Sequence, residues 1–409
     1  MTKSSTTMGD CTKLVEGLAL ALGFSDSSSI ALQELEDSRE AAFASTDPDE
    51  FAFWYLKSEV FSKFRAFGSG QELEDAALEK FWAAELACMG ATSRLYAGLE
   101  SLPSCPPSTA RIFSRARRLL HGWMGDFELA ELPQFCNWGP GATTEFSRRR
   151  ATRSNKWELA THVTPKALPY ALTFRTWLGL EGIVSPLPAL QVVSGNRVTT
   201  VPKTYKGDRT IAIEPSWNAF LQKGVGGMIR ARLTRRGMLT PDAQSRNRAA
   251  AREGSTTGLL STIDLSMASD SVSTALIELL WPASWSQVLQ DLRSPEFLNP
   301  DRGWSVSGLP ADALADYIPY EKISSMGCGY TFELETATFL ALVCAASQRG
   351  NADVCRVYGD DIICSTDDAA FVLEVLHYAG FRHNAEKTFI AGPFRESCGG
   401  HYWQGYDVT

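Results

Sequence analysis

The sequence predicts an α+β fold, a small antiparallel sheet backed by helices, on three observations. From Thr257 onward, short apolar runs of strand length alternate with longer stretches carrying apolar residues at helical spacing. Two of the short runs, Val354 to Val357 and Ile362 to Cys364, flank Tyr358-Gly359-Asp360-Asp361, a strand, a tight turn and a second strand. Ahead of this region, residues 1 to 130 are dominated by helical spacing, which separates a helical part from the mixed part.

Taken in order, Leu14 to Leu22, Ser28 to Ala44, Glu50 to Phe67 and Glu72 to Leu99 are expected to be helices, and Pro103 to Pro107 breaks the run. Between Cys136 and Pro241, short strands mix with Gly and Pro turns: Gln191 to Val193, Arg197 to Val201 and Thr210 to Ile213, then a helix over Ser216 to Leu233. Leu259 to Ile263 reads as a buried strand and Val272 to Leu280 as a helix ended by Pro282. A loop rich in Asp and Pro follows. A helix is then expected over Thr331 to Gln348, the hairpin next, and a helix over Asp368 to Tyr378 with Gly380 as its stop.

Composition narrows the classes. The chain has 409 residues, 44% hydrophobic and 21% charged, enough for two or three subdomains. Its nine cysteines form no C-x-x-C pair and its five histidines do not cluster with them, which argues against zinc and for free thiols in a reducing compartment. The N-terminus lacks the features of a signal peptide, and no apolar run approaches the ~20 residues that span a bilayer. A soluble protein of the cytoplasm, with no membrane partner, is expected. Net charge is −8, which by itself disfavours nucleic acid, but the charge is segregated. Arg197 to Arg252 holds 12 Lys and Arg against Asp208, Glu214 and Asp242, a net +9. That predicts one internal polyanion channel in an acidic exterior. Smaller clusters, Arg111 with Arg115, Arg117 and Arg118, and Arg148 to Arg150 with Arg153, read equally well as solvated faces.

The carboxylates carry the chemistry. Two adjacent aspartates on a rigid hairpin repel each other by roughly 4 kcal/mol at 4 Å and an effective dielectric of 20. Magnesium, a hard ion that prefers oxygen ligands, would relieve this, with manganese as a substitute. Asp264 stands at the end of the Leu259 to Ile263 run. If that strand pairs with the hairpin, Asp264, Asp360 and Asp361 converge. Three carboxylates can hold two ions about 3.5–4 Å apart, which activates a hydroxyl nucleophile and stabilises a leaving pyrophosphate. The bland alternatives are a surface turn for the hairpin and a capping residue for Asp264. Ser324-Ser325-Met326-Gly327-Cys328-Gly329 is a small-residue loop whose glycines let backbone approach a ligand, or simply an ordinary loop ahead of a buried helix.

Together these segments resemble motifs A (around Asp264), B (Ser324 to Glu335) and C (Tyr358 to Asp361) of an RNA-dependent RNA polymerase, most closely the replicase catalytic subunit of the leviviruses, small positive-strand RNA bacteriophages. Val201 to Pro215, with Lys203, Lys206 and Arg209, resembles the basic motif F, Ala379 to Thr388 motif D, Phe394 to Trp403 motif E, and Trp138 to Thr143 a fingers loop of the same family. The likeness is clear from about Val201 onward and thins toward the N-terminus.

The resemblance implies a right-hand polymerase: a helical region associated with the fingers over 1–130, fingers with motif F over 131–256 and a palm over 257–409. Family members continue beyond the motif E segment, so the resemblance also implies that the thumb is largely missing from a chain that stops at Thr409. It implies RNA-templated RNA synthesis from nucleoside triphosphates with two magnesium ions held by Asp264, Asp360 and Asp361. Lys203, Lys206 and Arg209 would neutralise the triphosphate, Gly327 would line the nucleotide site, and Lys387 would protonate the leaving pyrophosphate, or else be a solvated surface lysine. Asp270 would accept from the ribose 2′-hydroxyl, or else cap the helix after Ser271. By resemblance alone, host elongation factors and a ribosomal protein are partners in a bacterial cytoplasm. Two alternatives stay open: a polymerase-derived RNA-binding fragment, and a reverse transcriptase. Leu265, Ser266, Met267 and Ala268 include no aromatic that would exclude a 2′-hydroxyl, which favours RNA synthesis.

Overall fold

The computed structural model describes residues 18–24, 32–60, 70–100, 107–180, 188–204, 207–298, 317–347 and 354–409. Parts of the first, second and third expected helices, the Pro103 to Pro106 break, Tyr205, Lys206 and the Asp- and Pro-rich loop over 299–316 lie outside them. The helices are α1 Leu32–Ala44, α2 Pro48–Glu59, α3 Gly70–Glu100, α4 Pro107–Met124, α5 Arg153–Glu158, α6 Leu168–Leu180, α7 Ser216–Arg235, α8 Ala243–Thr257, α9 Thr274–Leu280, α10 Ala283–Leu292, α11 Thr331–Ala346 and α12 Thr366–Ala379. The strands are β1 Thr161–Val163, β2 Leu190–Val192, β3 Gly195–Thr204, β4 Gly207–Ile213, β5 Leu260–Ile263, β6 Leu265–Ser266, β7 Glu296–Leu298, β8 Tyr317–Pro319, β9 Arg356–Tyr358, β10 Asp361–Ser365, β11 Arg382–His383, β12 Phe394–Ser397, β13 Gly400–Trp403 and β14 Tyr406–Asp407.

Local chemistry sets the boundaries. Asp47 caps α2 by accepting from the N–H groups of Asp49 and Glu50, with Pro48 in the first turn. Gly380 ends α12 at φ +110°, as its sequence position predicts. Two expectations fail. Pro282 does not open a loop: it precedes α10 directly, in the position where a missing N–H costs nothing. The Ala243–Thr257 stretch, which the charge pattern presented only as basic, is helix α8, with Ala250, Ala251 and Gly254 buried.

At the centre is the three-stranded antiparallel sheet β5-β10-β9. Leu260, Ile263, Val357, Ile362, Ile363 and Cys364 are buried in it, together with the polar Ser261 and Thr262 of β5. Helix α11, buried along nearly its whole length, belongs to the same core as α12, Val357 and Ile362. On another side Ala250 and Ala251 of α8 pack with Leu260, Ile363 and Tyr402. A second sheet, β4-β3-β7-β8, carries the basic ribbon formed by β3 and β4. A third, β12-β13-β14, is locked to the first by Arg395. Its guanidinium, buried with the residue 1% exposed, donates to the carbonyl oxygens of Leu260 (2.7 Å), Phe394 (2.7 Å), Gly392 (2.9 Å) and Ile390 (3.0 Å).

Candidate active site

The register of the central sheet builds the site. Ile362 pairs with Ile263, so Asp264 follows the last paired residue of β5 and Asp361 precedes its partner on β10. Both therefore stand at the same end of the sheet. Tyr358 pairs with Asp361, leaving Gly359 and Asp360 as a two-residue turn. Gly359 has φ +63°, and a Cβ there would lie 2.9 Å from the Phe332 ring and 3.2 Å from Glu335 Oε1. Glycine is required both for the turn and for the contact with α11.

Asp360 acts on both of the other aspartates. Burial, then Asp360, pushes Asp264 up to about 7, against the opposing pull of Lys387 and Asn384. Asp361 is also raised, by burial first. Both side chains are held by neighbours: Asn384 Nδ2 donates to Asp264 Oδ2 (3.1 Å), and the N–H of Cys398 (2.8 Å) and the Ser397 hydroxyl (3.2 Å) donate to Asp361 Oδ1. As these side chains stand, no three acidic, His or Cys groups among the described residues enclose a single point. Asp361 is turned toward Cys398. In charge and hardness the donor set fits a divalent cation.

A carboxyl whose pKa rises on folding is happiest protonated in the fold. Asp264 therefore withdraws stability as pH climbs from its ordinary 3.8 toward about 7, and the loss is complete above that. A cation bound there offsets the loss. Magnesium is expected to raise the melting temperature by about 2 °C or more at pH 8 and to have no effect at pH 5. A shift equal at both pH values would place magnesium elsewhere.

The predicted cations divide. Lys203, at the far end of β3, is shifted downward by desolvation and by Arg209 and Lys387, while Asp264 and Asp360 pull it the other way. Lys203, Arg209 and Lys387 thus share one electrostatic neighbourhood with the aspartates. Arg209 is exposed on β4, paired in register with Val201. Lys206 lies outside the described residues. Lys387 reaches Glu396 Oε1 at 3.3 Å; burial alone would lower it, but Glu396 and Asp264 outweigh that and raise it. It is no isolated surface lysine.

Three expectations need correction. Asp270 does not cap α9. Ser273 does, accepting from the Leu276 N–H, while Asp270 is buried against Lys322. Gly327, at φ +114°, brings its loop against the protein's own β4: a Cβ would collide with the Ala212 carbonyl oxygen, and Ala212 N–H donates to Met326 O (2.8 Å). A close approach to protein backbone explains this glycine without a ligand. The +9 segment is not one channel lining. Arg232 donates to Met124 O and pairs with Glu131, and Arg246, Arg248 and Arg252 donate to the carbonyls of Gly237, Cys398 and Gly405. Those guanidiniums tie helices to loops through backbone carbonyls.

Sequence reasoning missed Glu335. It lies on α11 beneath the hairpin, 7% exposed, and its Oε2 has no hydrogen-bond partner among the described residues. Burial, then Asp360 and Asp270, drives its carboxyl well above the ordinary range. The sequence signal was a second acid, two residues after Glu333, at the start of a mostly apolar helix.

The fold and the site define an α+β chain in which an acidic hairpin faces a basic ribbon. The chain belongs to the RNA replicase beta-chain family, whose profile matches residues 16–409. It is 42% identical over 366 residues to the RNA-directed RNA polymerase subunit beta of Escherichia virus Qbeta, covering 88% of this chain and 59% of that protein. It is 35% identical over 414 residues to the RNA-directed RNA polymerase beta chain of Enterobacteria phage fr, covering 98% and 71%. The chain therefore spans about three fifths of the length of the Qbeta relative. Among solved structures, an "RdRp complex" aligns with 73% of this chain and 28% of its own at 13% identity and a TM-score of 0.40. Among the described residues, no helix is long and apolar enough to cross a membrane.

Proposed function

We propose that this chain carries the fingers (131–256) and palm (257–409) of an RNA-directed RNA polymerase, with the helical region 1–130 packed against them, and that it catalyses RNA-templated nucleotidyl transfer in the bacterial cytoplasm. One observation supports the reading: the β5–β10 pairing brings Asp264 and the Asp360–Asp361 hairpin to the same end of the sheet, with Asp264 and Asp360 within electrostatic reach of Lys203 and Asp264 of Lys387. Asp264, Asp360 and Asp361 would hold the magnesium ions, which when bound lower the pKa of the attacking hydroxyl and neutralise developing charge on phosphate. The chain's own groups position and neutralise. Lys203 and Arg209, with Lys206, meet the triphosphate, lysine as a point charge and arginine as a two-pronged donor. Lys387, held protonated by Glu396 and Asp264, is placed to give a proton to the leaving pyrophosphate oxygen. Asp270 reads the ribose 2′-hydroxyl. Host translation factors remain partners by family likeness alone.

The test is single-nucleotide addition on an RNA primer–template, with ribonucleotides and deoxyribonucleotides run side by side. Incorporation of ribonucleotides only, dependent on magnesium, supports the reading. Incorporation of deoxyribonucleotides at the same rate would make the chain a reverse transcriptase, and RNA binding without addition would leave a binding module. In the same assay Arg209→Ala should raise KM for nucleotide about tenfold and leave kcat nearly unchanged, the loss of one phosphate contact. An unchanged KM with weaker RNA binding would move Arg209 to the template path.

A further inference from the structure

The most enclosed charge network near the site lies behind it. Lys322 is 1% exposed, and its ammonium stands 2.8 Å from Asp270 Oδ1, 2.9 Å from Glu85 Oε1 and 3.5 Å from the centre of the Phe81 ring. Burial by itself would strip the proton from such a lysine; Asp270 and Glu85 outweigh it and hold the charge. Glu85 belongs to α3, in the helical region, and its Oε2 accepts from the Glu321 N–H at 2.8 Å. The backbone is fixed on both sides: Ile323 N–H donates to Val272 O (2.8 Å), and Cys88 Sγ of α3 donates to Asp270 O (3.5 Å). Asp270 therefore has little freedom. Its carboxylate is gripped by a lysine that is itself gripped by α3. It also lies within electrostatic reach of Glu335, which in turn feels Asp360 under the hairpin.

A buried ion pair of this kind is a poor stabiliser compared with an apolar filling, because desolvation offsets most of its attraction. What it does supply is a single orientation for the carboxylate. We infer that Lys322 is a positioning residue for sugar recognition: its ion pair with Asp270, backed by Glu85 from α3, holds the Asp270 carboxylate in the one orientation that discriminates a ribose from a deoxyribose. The inference rests on the proposed polymerase reading and on Asp270 as the sugar contact. It adds that the helical region of the chain, through Glu85, helps set the choice of nucleotide.

The experiment compares the wild-type chain, Lys322→Met, Lys322→Arg and Asp270→Asn. The readouts are thermal unfolding, the ribo-to-deoxy ratio of kcat/KM in single-nucleotide addition, and the ratio of dissociation constants for GTP and dGTP with magnesium present. A misplaced contact group costs about tenfold to a hundredfold, so Lys322→Met should lower both ratios at least about tenfold while ribonucleotide kcat falls much less. Lys322→Arg, which keeps the charge, should recover part of the difference. A merely structural lysine would lower the melting temperature and all rates together without moving the ratios. If Lys322→Met does not fold, the double variant Glu85→Gln with Lys322→Met removes both charges and is read by the same ratios. Ratios within twofold of wild type in a folded lysine variant overturn the inference when Asp270→Asn does change them. If Asp270→Asn leaves the ratios unchanged, Asp270 is not the sugar contact and the inference falls with it. If ribonucleotide addition is absent in the wild-type chain, it is the polymerase reading that has failed.

Discussion

Asp360→Asn should abolish templated nucleotide addition, with a loss of at least about 100-fold, and leave RNA binding nearly unchanged. The amide keeps the volume of the side chain and its place in the turn; only the charge disappears. Asp360 is exposed and faces Asp264, whose carboxyl it helps to push up to about 7. Removing it should therefore let Asp264 ionise more easily, so the variant ought to be no less stable than wild type near neutral pH. That combination, a dead and undamaged protein, separates a ligand from a structural residue. A fall in activity smaller than about 100-fold would take Asp360 out of the chemical step, and weakened RNA binding would make it part of the template path.

The second large effect falls on stability. Arg395→Lys should lower unfolding free energy by about 3 kcal/mol or more, read as a lowered midpoint in urea. Four carbonyl oxygens, of Leu260, Ile390, Gly392 and Phe394, accept from this buried guanidinium within 3.0 Å. A lysine has three donors on a single nitrogen and cannot reach the same spread, so some carbonyls would lose their only charged partner. Leu260 begins β5, whose last residue Ile263 directly precedes Asp264, so residual activity should fall as well. A midpoint shift worth less than about 1 kcal/mol would mean that water replaces the guanidinium at these carbonyls.

Local pattern carried much of the architecture. The hairpin, helix α11 and helix α12 with its Gly380 stop stand within a few residues of where periodicity and turn chemistry put them. Elements that local pattern hid were those whose residues serve distant partners. Helix α8 is rich in Arg and Ala and shows little apolar periodicity, because its arginines bond carbonyls of other segments and its small residues admit the sheet. Pro282 looked like the end of order because a proline's role depends on whether a helix follows it.

The site divides in the same way. Asp264, Asp360 and Asp361 were legible because a strand end and a glycine turn are local features, and the likeness of the surrounding words singled them out. By itself the sequence determined the α+β class, the hairpin and the family, and it offered the three carboxylates as the candidate site. Only the tertiary structure decided which charges face them. It tied Arg232, Arg246, Arg248 and Arg252 to backbone carbonyls, left Lys203, Arg209 and Lys387 at the acidic cluster, gave Gly327 to β4, and took Asp270 from a helix cap to Lys322. It also exposed Glu335 as a buried acid beneath Gly359. The physical reason is range. Turn and strand preferences act over a few residues, whereas a charge is assigned by whichever partner folding brings within a few ångströms, and for Lys322 those partners lie 52 and 237 residues away in the chain.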